Sequence, residues 1–80
     1  SSMSSHVGIA VLKDGRTVLG GQAMAEDMLR KRLEEVQKQN PKTMVVVQAD
    51  RNVEHWKVVK VMDLAATLGL KRLAIATVEE

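Results

Sequence analysis

The sequence has no cysteine, no phenylalanine and no tyrosine, and its single aromatic residue is Trp56. Without thiols there can be no disulfide, no thiolate zinc site and no cysteine nucleophile, and the redox compartment is left open. No apolar run approaches the roughly 18 residues that a bilayer-spanning helix needs, and no secretory leader is recognisable, so the chain as it stands is expected to be soluble. A strong charge of one sign is missing too: 12 basic residues face 10 acidic ones, for a net charge of +2. So small an imbalance gives no field for nucleic acid. What remains is an ordinary globular composition, 45% hydrophobic, in 80 residues. That length allows one core, not two. The opening SSMSSH is small, polar and aperiodic, so residues 1–6 are expected to be a linker outside a domain of residues 7–80.

Val7, Ile9 and Val11 alternate with Gly8 and Ala10, the period of two that marks a strand. Asp14-Gly15 signals a hairpin, with Arg16 to Leu19 returning as the second strand and Gly20-Gly21 breaking it. From Ala23 to Gln39, Ala25, Met28, Leu29, Leu33 and Val36 recur at helical spacing, supported by pairs such as Glu26 to Arg30 and Glu34 to Lys38. Asn40-Pro41 stops this helix, because proline disfavours helical geometry in the residue before it. Thr43 to Ala49 is a β-branched, nearly all-apolar run, as in a central strand covered on both faces. Asn52 suits the N-cap of a second helix from Val53 to Leu68, and Gly69 suits its left-handed closing residue. Lys71 to Val78 forms the last strand, with Leu73 and Ile75 on one face and Ala74, Ala76 and Val78 on the other.

The expected fold is α+β: a mixed four-stranded sheet in the order ββαβαβ with both helices packed on one face. The opposite face carries only small and medium side chains, which favours a homodimer.

Chemistry is sparse. His6 and His55 have no second ligand at metal spacing, and no cysteine can help them, so no metal site is expected. No phosphate-binding loop occurs, since Gly20-Gly21 lacks both the spacing and the lysine. The acid pairs Glu34-Glu35 and Glu79-Glu80 are neighbours in sequence and do not converge on one atom; they read as solvated faces. The Arg30-Lys31-Arg32 cluster is nearly cancelled by Glu26, Asp27, Glu34 and Glu35, so no nucleic-acid site is expected. Trp56, in the first turn of the second helix, reads as core or edge packing before it reads as a partner contact. Asp50 ends the third strand, the side of an open α/β sheet where ligands bind, but an aspartate there also sets a turn by accepting the backbone N–H of Asn52 or Val53. With no second catalytic group beside it, the turn is the simpler role. The residues identify no enzyme and no cofactor.

The order of motifs is more specific than any one of them. Val47, Ala49 and Asp50, then Trp56, Val58, Val59, Val61, Met62 and Asp63, then Gly69, with Ile75, Ala76 and Thr77 at the end, resemble the periplasmic domain of the ExbD/TolR biopolymer-transport family. LKDGRTVLGG and the leucine-bearing first helix are similar to that family's strand, hairpin and helix, so the likeness runs from Val7 to Thr77. Two departures touch the partner surface: the family often has tyrosine where Trp56 stands, and a Thr or Leu-Glu-Glu-like helix start in place of QAMAEDML. The resemblance implies an accessory subunit of a proton-driven inner-membrane motor. Its transmembrane helix, with an aspartate in the proton path, would sit in an ExbB/TolQ-like channel, and neither that helix nor a cytoplasmic tail is in this sequence. It further implies a dimer, a TonB/TolA-like partner and, in TolR-like cases, peptidoglycan. Asp50, Trp56, Met62 and Asp63 are the candidate partner-binding or structural residues. A different class of function, a small cytoplasmic regulatory domain binding a metabolite at the carboxyl ends of the third and fourth strands, is the alternative.

Overall fold

A computed structural model describes residues 6–78. The order is β1 (His6–Val11), β2 (Thr17–Leu19), β3 (Gln22–Met24), α1 (Glu26–Gln39), β4 (Met44–Asp50), α2 (His55–Thr67) and β5 (Arg72–Val78). The sheet is mixed, as the sequence suggests, but it has five strands rather than four, arranged β3-β2-β1-β4-β5. β1, β4 and β5 are parallel, and β2 and β3 extend the sheet as antiparallel strands.

The extra strand comes from Gly20-Gly21. Both residues have positive φ, 61° and 81°, and Leu19 pairs directly with Gln22 across them. They form a two-residue hairpin turn whose twist suits the flanking strands, so the chain reverses instead of breaking. Thr17 Oγ1 then donates to the Met24 carbonyl at 2.9 Å. This holds Gln22–Met24 in the sheet and delays α1 to Glu26, three residues later than the periodicity implies. Glu26 and Asp27 place negative charge in the first turn of α1, which complements the helix dipole.

α1 stops where expected: the Asn40 N–H bonds the Val36 carbonyl and Asn40 itself is extended before Pro41. α2 starts later than expected. The Asp50 carboxylate accepts the Asn52 N–H at 2.8 Å and the Asp50 carbonyl accepts the Val53 N–H at 3.0 Å. These bonds fold residues 50–53 into a turn, so Glu54, not Asn52, precedes the helix. At the other end, Leu70 N–H reaches the Ala65 carbonyl and Gly69 N–H the Ala66 carbonyl, both at 3.0 Å, which closes α2 and buries Leu70. His6, expected to lie outside the fold, opens β1 opposite Met44. The rest of the expected linker and Glu79-Glu80 lie outside the described residues.

Both helices share one core. Leu29 and Leu33 of α1 and Val58, Val61, Leu64 and Ala65 of α2 pack in one cluster with Ile9, Val11, Val45 and Val47 of the sheet. Each fully buried aliphatic side chain contributes about 1.5–3 kcal/mol relative to exposure. β4 is not covered on both faces: Val45, Val47 and Ala49 are buried, while Met44 and Val46, pointing the other way, are only half-buried and Gln48 is exposed. The apolar run in β4 therefore exceeds what this layer of helices can cover.

Candidate functional site

The chain leaves β1 through the turn Leu12 to Arg16 toward β2, and leaves the adjacent parallel β4 through the Asp50 turn and α2 toward β5, on the opposite side. Adjacent strands whose continuations diverge leave a crevice at their carboxyl ends. There the structure has a cleft of ≈ 340 Å³ between the β1–β2 turn, the start of α1 and the first turns of α2. Met24, Leu29, Val61 and Leu64 give it an apolar lining, and Trp56 stands at the rim, 57% exposed.

The rim is charged and largely self-paired. Lys60 Nζ lies 3.0 Å from Glu26 Oε1, which ties α2 to the start of α1. Arg16 Nε donates to Asp14 Oδ2 at 2.8 Å, and the Arg16 backbone N–H donates to Asp14 Oδ1 at 3.0 Å. That backbone hydrogen bond, followed by the nearby Arg16 charge, holds the Asp14 carboxyl below its ordinary pKa. Lys57 is drawn inward, with a side chain only 26% exposed. Its Nζ sits 5.6 Å from the Trp56 ring centre and 3.4 Å from Glu54 Oε1. Gly15 makes room for it: with φ +93° its backbone favours glycine, and a Cβ there would stand 2.8 Å from Lys57 Nζ.

Of the four residues singled out in the sequence, the cleft gathers one. Trp56 lines it, as a largely exposed group and not as core packing. Asp50 uses its carboxylate in the turn before α2, Met62 is half-buried against the core, and Asp63 is exposed; none of the three lines the cleft. Lys57, Lys60, Glu26 and Gly15 carry the geometry and were not candidates. Lys60, one helical turn beyond Trp56, is the one local signal that could have marked them. Among the described residues no group of three or more His, Cys, Asp or Glu could hold a metal ion.

The other flank of α2 differs. Val59 and Met62, three residues apart, lie away from the cleft, and Val59 is 46% exposed. Among the described residues β5 pairs with β4 alone, and Ile75, in register with the fully buried Val47, is 51% exposed. Val59 and Met62 thus lie on the flank of α2 turned from the cleft, and β5 forms one edge of the sheet among the described residues. Among the described residues no helix is long and apolar enough to cross a membrane.

The family described as Biopolymer transport protein ExbD/TolR matches the chain over residues 2–80. No curated protein sequence matches it.

Proposed function

Because the chain belongs to the ExbD/TolR family of biopolymer transport proteins, we propose that it is the periplasmic module of an inner-membrane subunit that couples the proton motive force to transport or envelope integrity. In this reading the module conducts no protons. It receives an extended segment of a TonB/TolA-like partner while a membrane anchor outside this sequence engages an ExbB/TolQ-like channel. The observation that carries the proposal is the free edge of β5, seven residues long, with Ile75 half-exposed on it. A strand added there bonds the outward N–H and C=O groups and sets alternate side chains against Ile75, Val59 and Met62. The open sheet face, with Gly8, Ala10, Val46 and Ala74, allows close approach of a second copy and supports a homodimer. Peptidoglycan binding belongs to the TolR-like version of the same reading.

The experiment is an NMR titration of the domain with a peptide from the periplasmic segment of the cognate TonB/TolA-like protein. Amide shifts are expected along β5, and Ile75→Glu, an exposed change that spares the core, is expected to weaken the peptide about tenfold or more. Shifts confined elsewhere, with unchanged affinity in Ile75→Glu, would refute the edge as the partner site.

A further inference from the structure

We infer that the Trp56 cleft begins a second docking track, distinct from the β5 edge, that takes an extended acidic segment of another protein with one large apolar side chain seated beside Trp56. The cleft shares Met24 and Ala25 with a shallower depression lined by Gln22, Met28 and Arg32. Apolar surface thus continues from Trp56 across Met24 to Met28, which is exposed although it belongs to the apolar spacing of α1. A surface that runs on beyond one pocket fits an extended chain better than a single small molecule.

Charge complementarity sets the chemistry of the occupant. Four cations line the track, Arg16, Arg32, Lys57 and Lys60, against two carboxylates in its lining, Asp14 and Glu26, and a third, Glu54, beside Lys57. Asp14 and Glu26 are already engaged by Arg16 at 2.8 Å and Lys60 at 3.0 Å. The remaining cations are less compensated: Lys57 faces Glu54 at 3.4 Å, and Arg32 reaches the neutral Gln22 Oε1 at 3.4 Å. They stand toward opposite ends of the apolar surface, so carboxylates flanking an apolar anchor satisfy both at once. The apolar lining is recessed beneath the rim, a concave form that admits a side chain and that a flat bilayer does not fill.

Trp56 is the only aromatic residue in the chain, so its emission reports this site alone. The probe is a short acetylated peptide of alternating leucine and glutamate, added to the domain at low salt. A saturable blue shift of Trp56 is expected. Binding should be about fivefold weaker or worse in Lys57→Glu and in Arg32→Glu, and about tenfold weaker for peptides of alternating leucine and lysine or serine and glutamate. Ile75→Glu should leave this binding unchanged, so the track and the β5 reading stand or fall separately. Circular dichroism confirms that the charge-reversal variants fold. Four results would overturn the inference: no shift up to about 1 mM peptide, equal binding of the lysine peptide, hexanoate binding as tightly as the peptide, or a shift caused by phosphatidylglycerol vesicles and not by the peptide.

Discussion

The two flanks of α2 are finished to different degrees. Toward α1 and the β1–β2 turn, Lys60 is bridged to Glu26, Arg16 to Asp14, and Lys57 lies folded over Gly15. On the other flank of α2 Val59 stands half in solvent, as does Ile75 of β5, a strand that among the described residues pairs only with β4. One helix therefore has its charged groups paired within the chain on one side, around a cleft with Trp56 at the rim, and leaves apolar groups half in solvent on the other. Burial and pairing within the chain mark what stabilises the domain alone, and exposed apolar groups, on either flank, mark the surfaces to which the proposed partners would add contacts.

The comparison breaks first at the level of stability. Leu29 lines the cleft and is 1% exposed, so Leu29→Ala should cost about 2–4 kcal/mol through lost contacts and a residual cavity. Ile75→Ala on the open flank should cost well under that, about 1 kcal/mol or less, because half of the side chain is already solvated. Urea unfolding of the two variants checks this, and similar losses would mean that the β5 flank is core in solution.

Gly15→Ala comes next. At φ +93° alanine is strained by about 1–2 kcal/mol, and its Cβ also displaces the Lys57 ammonium from 2.8 Å. The ammonium is the tip of a flexible chain and can move, so the strain should dominate the loss of stability. The displaced Lys57 should still alter Trp56 emission. A destabilised protein with unchanged emission would show that Lys57 already samples other positions.

How much of this was legible follows from where the information sits. Asn40-Pro41 and Gly69 end helices by their own backbone chemistry, and both elements end there. The Asp50 turn was legible for the same reason, since its hydrogen bond spans two residues. β3 was not, because three residues carry no usable period and Gly20-Gly21 serves a break or a hairpin equally well until a pairing strand is known. The N-cap assigned to Asn52 failed because the Asp50 turn takes up residues 50–53, so the helix begins only at His55, after Glu54. The cleft was least legible: Glu26 and Lys60 meet only after the sheet has brought α1 and α2 together, and Trp56 reads as core or edge packing until its neighbours are placed.

The smaller effects concern the paired rim. The Glu26–Lys60 bridge is solvent-exposed on both sides, so a double-mutant cycle with Glu26→Gln and Lys60→Met should give a coupling of about 0.2–1 kcal/mol that fades with salt. Asp14 should have the smallest effect, read through pH. Its folded-state pKa lies below the ordinary 3.8, because the carboxylate accepts the Arg16 N–H and sits beside the Arg16 charge. A depressed carboxyl pKa means that the stabilisation is fully present above the unfolded value and is lost as pH falls through the folded one. Wild type should therefore melt slightly above Asp14→Asn at about pH 5, with the gap closing by about pH 2. A gap of equal size at both ends would assign the contribution of Asp14 to the shape of the turn, which asparagine keeps, and not to its charge.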